Sequence, residues 1–153
     1  MNIFKEYWIL VKGLFTKIPN SLKHVEMKYV LWPGYAALMW CGLLITRPGY
    51  KISKTTETHE NIHLQQAKVL GGWWIFYIKY LFQYLGNLLV TFSPKASYYC
   101  LDVEKEAYSN ERNPNYIVTK ESIKKYRTPL FLRHKEWKTY KNAWRAHCES
   151  IGK

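Results

Sequence analysis

The sequence has few of the features that stabilise or target small secreted proteins, namely disulfide bonds and a signal peptide. Its 153 residues include only three cysteines, Cys41, Cys100 and Cys148. An odd number at distant positions excludes both a disulfide framework and a C-x-x-C motif, and it favours a reducing compartment. The first 20 residues also lack the apolar core and small-residue cleavage site of a secretory signal peptide. We therefore expect a cytoplasmic location and leave membrane association open.

Acidic residues are scarce as well. Asp102 is the single aspartate beside ten glutamates, and the formal net charge is +12. Such an excess predicts attraction to an anionic partner. Nucleic acid is the disfavoured partner, because no known nucleic-acid-binding motif is present. The basic, aromatic tail at about 117–149 predicts helices with a packed aromatic stripe, and its functional alternative is contact with an anionic membrane surface.

Uninterrupted hydrophobic runs are lacking too. Residues 29–45 carry no charge but contain Pro33-Gly34, and residues 69–92 have polar side chains at every fourth position from Lys79 to Thr91. A membrane-spanning helix needs about 20 predominantly apolar residues, so both segments are near the threshold. The narrow polar stripe favours a helix buried on most sides, or one lying in a membrane interface, over a free span.

No internal repeat or low-complexity tract divides the chain, so we expect one domain over residues 1–153. The pattern predicts a predominantly helical α+β fold with a short sheet. Residues 28–46 are expected to be partly extended, and a helix capped by Thr55 or Thr56 is expected to end at Gly71-Gly72. The helices are predicted at about 3–17, 55–70, 73–92 and 97–111, with two basic helices within 119–147 divided near Thr128-Pro129.

The motif H-E-x-x-H occupies residues 59–63. Its spacing places His59 and His63 on one face of a helix, where two imidazoles can bind one zinc ion. Glu60 lies about a quarter-turn away and can reach a metal-bound water without binding the metal itself. The motif therefore predicts a zinc site with a glutamate general base.

Two histidines bind zinc weakly, so the site requires a third protein ligand. A third histidine in the long form of the motif is excluded, because Gln66 and Val69 stand where that form has glycine and histidine. A carboxylate from a later helix is the alternative. Asp102, Glu104 and Glu106 are the candidates at this stage.

A larger pattern joins these residues. The run T-x-x-H-E-x-I-H-x-x-Q at residues 56–66, followed by E-x-x-A-Y at residues 104–108, resembles the gluzincin metallopeptidases, in which a second helix supplies a glutamate ligand. It is most similar to their small single-domain members, the minigluzincin-like proteins, which include short bacterial proteins of unassigned activity. The resemblance covers about residues 55–111, and it implies a zincin-like domain in which an H-E-x-x-H helix faces a glutamate-bearing helix.

The resemblance implies a role for each matched residue. His59, His63 and Glu104 would be the zinc ligands, with Glu106 as the alternative third ligand, and Glu60 would be the general base. Tyr108 stands where many relatives have aspartate, so it and Gln66 are candidates for positioning a ligand or donating to an oxyanion. For that donor, the chain also offers Arg112, Tyr116 and His134.

The expected activity is hydrolysis of a peptide or protein substrate by a metal-activated water. An edge strand within residues 38–46 would let a peptide add by strand pairing, although core packing of this segment is equally open. The rival interpretation is a catalytically inactive protein of the same fold with a structural or vestigial metal site. A peripheral membrane or polyanion-binding protein with incidental histidines is the third.

Overall fold

Helices make up most of the fold, and a small sheet lies beside them. The computed structural model describes residues 2–31, 37–133 and 135. The predicted α+β class, predominantly helical with a short sheet, is confirmed. The elements in chain order are α1 (Ile3–Gly13), β1 (Lys23–Glu26), β2 (Ala37–Trp40), β3 (Leu43–Thr46), α2 (Lys54–Leu70), α3 (Trp73–Thr91), α4 (Pro94–Tyr99), α5 (Asp102–Asn110), α6 (Lys120–Lys125) and a 3₁₀ turn (Leu130–Leu132).

The three strands are ordered β1-β3-β2, with β1 parallel and β2 antiparallel to β3. A two-residue turn joins β2 to β3, and both of its residues have positive φ, 49° at Cys41 and 83° at Gly42. Such turns match the right-handed twist of a hairpin. A Cβ on Gly42 would lie 2.4 Å from Cγ of Pro19, so glycine is required there. The partly extended segment is thus confirmed, whereas β1 was not predicted.

Helix α2 carries the H-E-x-x-H motif into the interior. The prediction that Thr55 or Thr56 caps it is wrong, because Ser53 is the cap and its side chain accepts from the Thr56 amide. The predicted end is confirmed, with Gly71 in the left-handed conformation that terminates helices. The helix packs against β2, α3 and α5. Its buried face therefore lies between the sheet and the two helices that complete the site.

Helix α3 turns most of its polar stripe inward. The Gln83 amide donates to Asp102, and Asn87 donates to the carbonyl of Ser97 and accepts from Arg133. Gln83, Asn87 and Thr91 of the predicted stripe thus face α4 and α5, whereas Lys79 is exposed. Much of the apolar side of the helix is also exposed. Within the described residues, no helix is long and apolar enough to cross a membrane.

Two other predicted helix bounds are wrong. The helix expected over 97–111 is two helices, because Leu101 adopts an extended conformation and is fully buried in the core. The first helix ends at Gly13 rather than near residue 17; Gly13 lies against the hairpin turn, where a Cβ would be 3.0 Å from that of Cys41. Of the two basic helices, the first is the short α6, and most of the second lies outside the described residues.

Candidate metal centre

Three side chains from two helices converge on one point. In α2, the Nε2 atoms of His59 and His63 are 3.2 Å apart. In α5, Glu104 places Oε2 3.4 Å from Nε2 of His59 and Oε1 3.4 Å from Nε2 of His63. All three residues are buried. They form the one cluster of histidine, cysteine and acidic residues in the described part of the chain that could hold a metal ion.

The separation of the two imidazole nitrogens is close to that around a tetrahedral ion, and Glu104 approaches each imidazole with a different oxygen. Ligand atoms about 2.0–2.1 Å from zinc in tetrahedral geometry lie about 3.3–3.4 Å from one another. Two imidazole nitrogens and one carboxylate are also a ligand set used by catalytic zinc sites, which leave a fourth position for water or substrate. The donor set and its spacing could therefore hold a metal ion.

The outer nitrogen of each histidine is held by a hydrogen-bond acceptor. Nδ1 of His59 is 2.9 Å from Oε2 of Glu111, and Nδ1 of His63 is 2.8 Å from Oε1 of Gln66. With the protons on Nδ1, both Nε2 lone pairs face the convergence point. This second layer fixes the tautomer and ring orientation that metal binding needs.

Glu104 is held in place on one side and lacks a hydrogen bond on the other. Its Oε1 accepts a hydrogen bond of 2.9 Å from the Tyr80 hydroxyl. Its Oε2 is fully buried and accepts no hydrogen bond from the residues that the structure describes. A buried carboxylate oxygen without a donor is costly. A cation beside this oxygen, either a metal ion at the convergence point or the imidazolium of His59 3.4 Å away, would compensate it.

The electrostatics of the three groups are coupled. Burial disfavours the imidazolium of His59, but Glu104 and Glu111 outweigh this effect and raise its pKa to about 10. The pKa of His63 is also raised, because Glu104 outweighs the burial penalty. Burial opposes ionisation of Glu104, yet the two histidines hold its pKa well below the usual range. In the metal-free protein these shifts favour an imidazolium paired with the carboxylate of Glu104.

Glu60 lies beside the three ligands without joining them. Burial raises the pKa of its carboxyl, although the charges of His63 and His59 act in the opposite direction. The amide of Met39 in β2 donates a hydrogen bond of 2.9 Å to Oε2. A carboxylate with a raised pKa next to a metal site is suited to accept a proton.

The structure places Glu106 outside the ligand cluster. Its Oε2 accepts from the Gln66 amide, and its Oε1 accepts from the hydroxyls of Tyr116 and Ser122. Gln66 also donates to the carbonyl of Val103 and is fully buried. Gln66 therefore connects His63 to α5, while Glu106 supports Gln66.

Tyr108 packs on the site rather than into it. Its ring lies edge-on to that of His59, with centroids 4.5 Å apart, and its hydroxyl is 3.5 Å from that of Tyr98. Among the other oxyanion-donor candidates, Tyr116 uses its hydroxyl on Glu106, and His134 lies outside the described residues. The structure thus leaves the oxyanion donor unassigned.

The predicted edge strand is β2, and its outer edge faces the site. The amide of Met39 donates to Glu60, and the amide of Cys41 donates 2.9 Å to the hydroxyl of Tyr77 in α3. Two backbone amides that could pair with an added strand are therefore already hydrogen-bonded to side chains of this chain. A peptide that adds at this edge must displace one or both of these contacts.

Sequence reasoning missed two residues of the second layer. Glu111 follows Glu104 by seven residues, or about two helical turns, so its position on the same face was available as a signal. Tyr80 had no comparable signal, since it is one of many aromatic residues in α3. Only the packing of α3 against the other helices singles it out.

Comparisons of this chain with protein-family models, curated proteins and solved structures return no match. Its functional interpretation therefore depends on the geometry and chemistry of the site.

Proposed function

We propose that this chain is a zinc-dependent metallopeptidase of the gluzincin type, with His59, His63 and Glu104 as metal ligands. The observation that carries this proposal is the convergence of the three donors at 3.2–3.4 Å, with a buried Oε2 of Glu104 that lacks a hydrogen bond. Two histidines on an ordinary helix surface would need neither to be buried nor to have hydrogen-bond acceptors aligned on their Nδ1 atoms.

Each residue of the site has a role in this proposal. Glu111 and Gln66 orient the two imidazoles, and Tyr80 orients the carboxylate of Glu104. Zinc, when bound, supplies a Lewis acid that polarises a scissile carbonyl and lowers the pKa of a bound water toward about 7. The chain's own contribution is a fixed, largely dry site in which these groups need no rearrangement.

Glu60 is the general base in this proposal. Its raised pKa suits a carboxylate that accepts a proton from the attacking water and returns it to the leaving amine. The Met39 amide holds Oε2 against the sheet, so Oε1 is the oxygen assigned to proton transfer. A peptide substrate would lie along β2, where its backbone competes for the donor now bonded to Glu60.

A second candidate is a non-catalytic protein with a structural metal site. The enclosure of the cluster favours it, since His59, His63, Glu60 and Glu104 are each at most 9% exposed. The internal use of the Met39 and Cys41 amides favours it as well. In that case zinc would stabilise the contact of α2 with α5 and no peptide bond would be cleaved.

Replacement of the general base separates the two candidates. We would load the wild type, Glu60→Gln and Glu57→Gln with zinc, and then assay a broad panel of quenched fluorescent peptides. Glu57 lies on the same helix but is exposed, so its variant is the matched control. Loss of a general base reduces turnover by about 10²–10⁴-fold.

The proposal predicts that Glu60→Gln keeps one zinc per chain and loses at least about 100-fold in kcat, while Glu57→Gln cleaves like the wild type. Equal cleavage by Glu60→Gln would contradict the assigned role. Full zinc occupancy with no cleavage of any peptide by the wild type would favour the structural candidate.

A further inference from the structure

Helix α3 exposes an apolar face on the side opposite its polar stripe. Seven large side chains on this helix are at least 45% exposed: Trp74, Ile75, Ile78, Leu81, Phe82, Leu85 and Leu89. Their steps of three and four residues put them on one side of the helix. The opposite side of the helix buries Trp73 and Phe76 in the core and places Gln83 and Asn87 against α5 and α4. The exposed side is thus apolar where a helix that packs on a core normally presents polar side chains to water.

Helix α1 and the residues after it extend this surface. Their exposed large side chains are Ile3, Phe4, Tyr7, Trp8, Val11 and Phe15. Phe15 contacts Trp74, with ring centroids 5.9 Å apart, so the two surfaces meet. We call the exposed apolar side chains of α1 and α3 the apolar face. Contiguous surfaces of this kind mark interaction sites, because monomeric proteins rarely expose them.

Cations border this face. Lys79, which lies in α3 between exposed apolar residues, also lines a groove of about 450 Å³ with Lys120, Lys124 and Arg127. The one acidic residue in the groove is Asp102, whose carboxylate is paired with the buried Lys105 and Arg133. On α1, Lys12 lies over the ring of Trp8, 5.2 Å from its centroid.

We propose that the apolar face binds the surface of an anionic phospholipid bilayer, with lipid phosphates in the basic groove. Aromatic rings inserted at the level of the headgroups, with lysines beside them, are the chemistry of interfacial binding. The charge of +12 opposes pairing of this face with a second copy of the chain and favours an anionic surface. In this proposal the chain lies at the bilayer surface, with the apolar face among the headgroups.

Vesicle co-sedimentation of the full chain tests the proposal without reference to enzymatic activity. The probes are neutral phosphatidylcholine vesicles and vesicles with 30% phosphatidylglycerol. Leu89→Gln is compared with Ile117→Gln, because these aliphatic residues are 74% and 73% exposed and only Leu89 lies on the apolar face. Zinc content is measured on the same samples, so failure here is distinguishable from failure of the metal site.

A second pair of variants tests the groove. Lys120→Gln with Lys124→Gln removes two groove cations, and Lys51→Gln with Lys54→Gln removes the same charge from exposed positions outside the groove. A basic residue near an anionic surface contributes about 1 kcal/mol, or about fivefold in binding, so generic charge loss affects both pairs. The two double variants therefore differ in whether the lost lysines line the groove.

We expect binding to the anionic vesicles that weakens with salt. Leu89→Gln should lower the partition coefficient at least about tenfold, since burying a leucine is worth about 1.5–3 kcal/mol, while Ile117→Gln leaves it unchanged. The groove pair should lower it further than the control pair. Equal binding to neutral vesicles, or equal binding by Leu89→Gln, would overturn the proposal. So would a wild-type dimer that Leu89→Gln converts to a monomer, because a second copy would then cover the face.

Discussion

The second layer of the candidate metal centre offers a sharp prediction, because Glu111 would act on a bound metal through its hydrogen bond with His59. Its Oε2 is 2.9 Å from Nδ1 of His59, and both side chains are buried. Replacement by glutamine keeps an acceptor of similar shape but removes the negative charge. Replacement by alanine removes the acceptor and frees the imidazole to rotate or change tautomer.

The magnitude follows from this geometry. Loss of an outer-shell partner of a ligating histidine weakens metal binding by about 10–100-fold, or about 1.4–2.7 kcal/mol. Glu111→Ala should fall in that range and Glu111→Gln near its lower end. Because Glu111 also helps to raise the pKa of His59, both variants should lower that pKa in the metal-free protein.

Zinc affinity is measured by competition with a chromophoric chelator at fixed pH, and circular dichroism establishes that each variant is folded. Glu121→Gln serves as the control, since it removes the same charge from the exposed surface of α6. Zinc affinity of folded Glu111→Ala equal to that of the wild type would refute the role assigned to this hydrogen bond.

Three further predictions concern pH and stability. Because the pKa of His59 is raised to about 10, the metal-free protein holds a proton that zinc must displace, and zinc affinity should rise with pH. Calorimetry at pH 8 in buffers of different ionisation enthalpy should therefore detect at least one proton released per zinc bound. Zinc binding without proton release would contradict the raised pKa of His59. Asp102→Asn removes the carboxylate that pairs with the buried Lys105 and Arg133, so the free energy of unfolding measured with urea should fall by about 3–5 kcal/mol. A fall of less than about 1 kcal/mol would contradict the importance of these ion pairs. Gly42→Ala should cost about 2–4 kcal/mol in the same assay, given the positive φ and the contact with Pro19, and an unchanged midpoint would count against the close approach.

Local signals in the sequence were enough to place the ligand helices. The H-E-x-x-H spacing needs only helical periodicity to bring His59 and His63 together, and Gly71 ends their helix for a conformational reason that the residue type carries. Small Ala107, one turn after Glu104, is fully buried and clusters with Ile62 of α2, which lets the two helices approach closely.

The predictions that were wrong or incomplete concern features that depend on contacts between residues distant in sequence. Nothing near Leu101 signals a break in the helix, since that residue turns extended in order to fill the core between α4 and α5. The stripe from Lys79 to Thr91 identified a polar side of α3 but could not show which side faces inward. That choice depends on Asp102, Ser97 and Arg133, which supply partners for the stripe from other elements.

Zinc stoichiometry tests the central claim most directly. Wild type, His63→Ala and Glu104→Ala are purified identically, supplied with zinc, separated from free metal and analysed by mass spectrometry, with His24→Ala as a control because His24 lies outside the cluster. The proposed site predicts about one zinc per chain in the wild type and in His24→Ala, and a loss of bound zinc in the other two variants. Wild-type protein that retains no zinc would contradict the metal centre and the proposed function with it.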